Sequence, residues 1–324
     1  MSEREAPLLK SNWVWMNGQL MPNEKATTSV CSNGLQYGMG VFEGIRAYRQ
    51  GDGLGIFRLD AHLERLEKSA AAYGMRLPYS RTELQGAIEE VLQANQFDGE
   101  SAYLRPIFWF GAGMSARYRP VEGAVILWPW PINFSEERSR SGVRVTIPPW
   151  KKIHYSMLPS TAKGCGQYLT ALLAVQYALM NGFDEALLLD ASGNLAEGAA
   201  ENIFLVKNGT LLTNDENSSI LLGVTRDSVI TIARDLGIKV EIRTLSQDDL
   251  YNADEAFFTG TAIEIVGIRE VSGRSIGNAG NVSVTGKIRA AFHAITRGQN
   301  ERYKDWIHQV PATVARASAY KQAV

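Results

Sequence analysis

Apolar and polar positions alternate along this chain in short runs, and the period of each run names an element. "WVWMNGQLM" from Trp13 alternates at period two about Asn17-Gly18, a dipeptide that favours the left-handed turn of a hairpin. "GVFEGIRAYR" from Gly40 predicts one strand ending near Gly51. "LDAHLERLEKSAAAYG" switches to a period near 3.6 and predicts a helix, with Asp60 as N-cap and Gly74 at C′. His62, Leu66 and Tyr73 share its inward stripe, and Arg65 lies at the edge. "SRTELQGAIEEVLQANQ" reads as a second helix and "SAYLRPIFWF" as a long strand.

The pattern turns polar and aperiodic from Pro131 to Gly142, where we expect a linker. It separates a small N-terminal domain, 1–130, from a larger C-terminal domain, 143–324. The second half opens with strand-like "GVRVTIP". A helix follows, with Tyr168, Leu172, Val175 and Leu179 on one stripe. "EALLLD" and "LAEG" read as strands about the turn "ASGN", and "NIFLVKNGTLLTN" as a hairpin about Asn208-Gly209. "VTRDSVITIARDLG" predicts a helix capped by Thr225 and stopped at Gly237, with strand-like "IKVEIRTLS" after it. Strands and helices mix in both halves, so the fold class is α/β or α+β.

Composition narrows the function. The 324 residues are 45% hydrophobic, enough for a large core, and the net charge is −1. That balance argues against a nucleic-acid or membrane-surface partner. It leaves a small molecule or another copy of the chain. Two cysteines and no CxxC suit a reducing, cytoplasmic setting. "MSEREAPLLK" has no apolar signal-peptide core, and no apolar run reaches the roughly 20 residues of a membrane helix. No GxSxG occurs, and the four histidines show no metal-ligand spacing, so no metal is expected. "GAGMSA" from Gly111 only loosely imitates a dinucleotide loop.

Lys163 stands out in "PSTAKGCGQYLTALLA". Most lysines at a helix start are simply solvated. Yet the positive end of a helix disfavours a cation, and that field plus burial would depress the amine toward nucleophilic use. Glu197 in "LAEGAAENIF" could be a cap or a functional carboxylate; Glu201 could equally be the cap.

Seven segments, in order, then carry a resemblance: "LQYGMGVFEGIRAY", "FRLDAHLERL", "SAYLRPIFWFG", "TAKGCGQYL", "LAEGAAENIF", "LLGVTRDSVI" and "FFTGTAIEIV". Together they resemble the branched-chain amino-acid aminotransferases, fold-type IV enzymes that use pyridoxal 5′-phosphate. The likeness runs from about Trp13 to about Gln309. It implies a small N-terminal α/β domain and a larger C-terminal one with a barrel-like sheet. It also implies a homodimer, with pocket residues shared across the interface.

By that resemblance Lys163 is the catalytic lysine, covalently linked to the cofactor and then shuttling a proton. Glu197 is implied to bond the ring nitrogen, and Tyr168 the phenolic oxygen. Arg65, through a bidentate guanidinium, is implied to hold the phosphate with Val224, Thr225 and Thr261. Tyr37, Phe42, Tyr103 and Trp130 are implied to form the apolar substrate pocket. Arg105 is implied to meet a distal carboxylate, and the amides of Thr261 and Ala262 the α-carboxylate. Arg46 fits a family position, either structural or near the pocket. Tyr37 and the loop near Met114 are implied to serve the neighbouring subunit. Ala162 and Gly164 are expected to be small to clear a flat ring. The implied reaction moves an amino group between L-leucine, L-isoleucine or L-valine and 2-oxoglutarate, by a ping-pong route. The alternatives within the fold are a D-amino-acid or (R)-amine transaminase, or an aminodeoxychorismate lyase. Cys165, Gln167 and "GAGMSARYRP" depart from the family pattern and bear on substrate preference.

Overall fold

The computed structural model describes residues 11–114, 120–129, 141–277 and 283–310. The expected linker lies almost wholly outside them, as does Trp130. The first half contributes strands β1 (Trp13–Met16) and β2 (Gln19–Pro22), helix α1 (Asn33–Tyr37), and strands β3 (Gly40–Phe42), β4 (Ile45–Gln50) and β5 (Gly53–Phe57). Helices α2 (Leu59–Ala72) and α3 (Arg81–Ala94) precede the long strands β6 (Ser101–Phe110) and β7 (Val121–Pro129). The second half contributes β8 (Val143–Thr146), α4 (Tyr168–Met180), and strands β9 (Glu185–Leu189), β10 (Leu195–Gly198), β11 (Asn202–Lys207) and β12 (Thr210–Thr213). Then come α5 (Val224–Asp235), β13 (Val240–Ile242), α6 (Gln247–Tyr251), β14 (Glu255–Gly260), β15 (Glu264–Val271), β16 (Arg274–Ser275), α7 (Val284–Thr296) and β17 (Ile307–Val310).

Two sheets organise the molecule. The first runs β17-β5-β4-β6-β7-β1-β2, with β3 also paired to β6. The second runs β10-β9-β8-β15-β14-β11-β12-β13. A tight return, Gly198 N–H to Glu201 O at 2.7 Å, brings β10 back toward β11 and curls this sheet. The last strand, β17, crosses back to pair with β5. One core packs α2 and α3 on the first sheet. Another joins Tyr48 and Phe57 of the first sheet to Phe204, Phe257 and Phe292 of the second half. Each buried ring there is worth roughly 1.5–3 kcal/mol.

Several local expectations fail for identifiable reasons. The strand across 40–49 is broken at Glu43-Gly44, because Glu43 turns fully inward to charged partners. A Cβ on Gly44 would collide with the Tyr103 hydroxyl. Helix α2 begins two residues earlier than expected, with Arg58 as N-cap and Asp60 inside the first turn. Gly74 does follow the C-cap, at φ +64°. Helix α5 is capped by Gly223, not Thr225, and a Cβ on Gly223 would collide with Asn202 Oδ1. In α4 the leucine stripe faces outward. Ala171, Ala174 and Ala178 pack inward, while Leu169 and Leu172 are 65% and 60% exposed.

Candidate active site

The Lys163 segment is held between the halves of the chain. Phe42 N–H donates to Lys163 O (3.1 Å), and Gly166 N–H donates to Gly38 O (3.1 Å). Ser69 Oγ on α2 accepts the Lys163 N–H at 2.9 Å. A short 3₁₀ turn, Cys165–Gln167, separates Lys163 from α4, so the amine does not sit on the helix end itself. Gly164 is small for a different reason than expected: a Cβ there would collide with the Tyr73 hydroxyl, not with anything in the cavity. Ala162 does line the cavity. Gln167, buried, donates from Nε2 to Tyr73 Oη (2.8 Å) and Pro159 O (2.9 Å), tying the segment to α2.

A cavity, open at its mouth, lies beside this segment. Arg65, Lys163, Tyr168, Glu197, Val224, Thr225 and Thr261 all line it. Lys163 Nζ donates to Tyr168 Oη at 2.6 Å. Burial depresses the amine to about 7, helped by Arg65 and Arg105; Glu43 and Glu197 oppose the shift. At pH 7 about half of such amines are neutral, against under 0.1% for a free lysine. Burial, then the field of Glu197, pushes the Tyr168 phenol well above its usual value. It therefore stays protonated as a donor.

One end of the cavity suits an anion. The N-terminus of α5 opens there, with Val224 and Thr225 in its first turn. Arg65 Nη1 donates to Leu222 O at 3.1 Å, which holds the guanidinium beside that terminus. The bidentate fork expected for an anion is already engaged. Arg65 Nε and Nη2 bond Glu43 Oε1 and Oε2 at 2.7 and 2.9 Å. Glu43 also meets His62 Nδ1 at 2.8 Å. Burial opposes its ionisation, but Arg65 and His62 outweigh it and hold the carboxyl well below the usual range. Arg65 thus reaches the cavity with one edge only.

Glu197, in the same lining, suits a cationic N–H. Glu197 is 4% exposed. Its Oε2 accepts from Asn202 Nδ2 (2.9 Å) and Leu221 N–H (3.0 Å), and its Oε1 pairs with Lys152 Nζ (2.6 Å). Thr259 Oγ1, buried in the lining, has no hydrogen-bond partner among the described residues. A carboxylate, a half-neutral amine, a retained phenol, an anion-receiving helix terminus and an orphaned hydroxyl in one lining are the kinds of group that pyridoxal phosphate needs.

Of the residues expected at the substrate, only Thr261 lines this cavity; Phe42, Tyr103 and Arg105 cluster beside it, with Lys163 Nζ 5.1 Å from the Phe42 ring. Arg105 lies over Phe42 at 4.4 Å and donates from Nη2 to Tyr103 Oη at 2.9 Å. Phe42 meets Tyr168 edge-on at 4.8 Å. Thr261 and Ala262 form the turn between β14 and β15. Arg46 is buried behind that turn, paired with Glu264 Oε1 at 2.9 Å and Ser101 Oγ at 2.6 Å, and does not line the cavity. Tyr37 is 67% exposed and stands apart from it. The reading of sequence passed over Glu43, Lys152, Asn202 and Thr259. Only Glu43, an acid inside an apolar run, carried a local signal.

The family model for amino-transferase class IV matches residues 40–271. The branched-chain-amino-acid aminotransferase of Pseudomonas aeruginosa is 40% identical over 296 residues, 90% of this chain and 95% of that protein. The T.th. branched-chain amino acid aminotransferase, solved with N-(5'-phosphopyridoxyl)-L-glutamate, is 38% identical at TM-score 0.88, covering 94% of this chain and 100% of that one. The enzyme of Thermoproteus uzoniensis, solved with norvaline, is 40% identical at TM-score 0.87, covering 92% and 99%.

Proposed function

The chain belongs to the branched-chain aminotransferases of the class IV family, and on that premise we propose that it exchanges amino groups between L-leucine, L-isoleucine or L-valine and 2-oxoglutarate. The observation that carries the reading is Lys163: a buried amine near 7, at 2.6 Å from a phenol, between an anion site and a carboxylate. Pyridoxal phosphate supplies the electron sink that lets a proton leave the substrate's Cα. Lys163 holds the cofactor through Nζ, then takes that proton and returns it on the far side of the exchange. One amine serving both half-reactions supports a ping-pong order. Arg65, Val224, Thr225 and Thr261 hold the phosphate, joined by Thr259. Glu197 accepts a hydrogen bond from the protonated ring nitrogen, and Tyr168 donates to the phenolic oxygen.

The amides of Thr261 and Ala262 hold the α-carboxylate. Phe42 and Tyr103 bound the apolar pocket, and Arg105 at its rim takes the distal carboxylate of glutamate. The T.th. relative's phosphopyridoxyl-glutamate and the Thermoproteus relative's norvaline support one site for both side chains. Arg46, paired to Glu264, steadies the turn at 261–263 instead of touching substrate.

We also read the chain as a small unit, 1–130, and a large one, 143–324, with β17 returning to the first sheet. It pairs as a homodimer through the outward leucines of α4, with Tyr37 serving the partner's pocket. Leu172→Glu should shift its sedimentation to the monomer. No described helix is long and apolar enough to cross a membrane. Cys31 and Cys165 are unpaired, as suits the cytoplasm. A spectral half-reaction with L-leucine, D-alanine and an (R)-amine tests the assignment. L-leucine should bleach the bound cofactor; response to the other two alone would overturn it.

A further inference from the structure

Lys152 has no place in the chemistry above, yet both its backbone and its side chain are held. Its backbone N–H donates to Leu189 O at 2.8 Å, and the adjacent Lys151 bridges to Leu189, so the segment runs along the edge of β9. Strand β10, which pairs with β9, carries Glu197. The Lys152 side chain, 12% exposed, crosses that step and places Nζ 2.6 Å from Glu197 Oε1, inside the cavity lining.

Counting acceptor positions sharpens this. An ionised carboxylate offers about four lone-pair sites. Oε2 has taken two donors, Asn202 Nδ2 and Leu221 N–H. Oε1 has taken one, Lys152. The remaining site is on Oε1, so a ring N–H entering the cavity must share that oxygen with the ammonium. The proton between Oε1 and the ring nitrogen then has two resting places. The ammonium, in contact with Oε1, stabilises negative charge there more than at the ring beyond it.

We propose that Lys152 is a positioning residue that keeps the shared proton on the cofactor's ring nitrogen by holding Glu197 anionic. The proposal rests on the transaminase reading, and it concerns which atom carries a proton, not whether the cofactor binds. Removing the ammonium moves the proton from nitrogen to Oε1; no other bond changes.

The test is ¹⁵N NMR of the holoprotein loaded with ring-¹⁵N pyridoxal phosphate. The unaltered protein should give a pyridinium resonance. Lys152→Met should move it more than half-way toward the neutral-pyridine position, and Lys152→Arg should restore it. Lys152→Gln, which keeps a donor but no charge, should behave like Met and serves if the Met variant does not fold. A pyridinium resonance that persists in both neutral variants overturns the proposal, as does a neutral pyridine in the unaltered protein. Failure of the unaltered protein to take up pyridoxal phosphate would instead overturn the transaminase reading.

Discussion

On the second-sheet side of the cavity, Glu197 takes three donors and a helix terminus is held open beside Arg65. Beside the cavity, on the first sheet, Arg105 lies over the rings of Phe42, Tyr103 and Trp128 at 4.4, 5.2 and 5.8 Å. It makes one hydrogen bond, to Tyr103, and its Nε has no partner among the described residues. The first wall is fixed by directional bonds that fail if any atom moves. The second is fixed by ring contacts, which tolerate adjustment. A wall that must present one proton at one atom needs the former. A wall that must accept both an apolar and an anionic side chain is better served by the latter.

Substitutions should therefore separate the walls. Lys163→Ala, at their junction, should cut turnover by roughly 10³–10⁴-fold with the fold intact by circular dichroism. Near-normal leucine turnover would remove Lys163 from its role. Glu197→Gln keeps the shape of the bonded wall but not its charge, and kcat should fall roughly 10²–10³-fold for every substrate alike. A loss confined to one substrate would show the bonded wall discriminating, against the contrast drawn above.

Arg105→Met should raise KM for 2-oxoglutarate by about 10–100-fold, the worth of a hydrogen bond to a charged group. Leucine kcat/KM should stay within about threefold. Equal losses on both would mean that the ring-packed wall is as rigid as its opposite. The smallest effect concerns pH. In the apoprotein Lys163 is depressed from 10.5 to about 7. Between those values the unfolded chain holds a proton that the folded chain has lost. Stability should thus rise with pH across that window and be flat in this respect outside it. Urea titrations of the apoprotein and of Lys163→Met should differ in slope only there.

Much of the secondary structure was legible because its signals are local. Asn17-Gly18 and Asn208-Gly209 adopt positive φ and close their hairpins. Ser80 and Glu83 make a capping box within one turn. The residues expected at the cofactor were legible as motifs, and they line one cavity. The break at Glu43-Gly44 was not, because its cause is Arg65 and His62, about twenty residues away. The outward leucines of α4 misled the helical stripe: the facing strand β9 admits only alanine-sized contacts.

The sequence by itself determined which residue types were available: one lysine among small residues, a carboxylate on a strand, a helix start to receive an anion. Those are covalent facts and short-range preferences, readable within a few positions. Only the tertiary structure decided their states. Lys163 is half-neutral because burial and Arg65 act on it. Arg65 presents a single edge because Glu43 occupies its fork. Glu197 keeps one acceptor site open because Lys152, forty-five positions earlier, fills another. Charge state and free valence depend on desolvation and on neighbours brought from afar, and no local pattern encodes either.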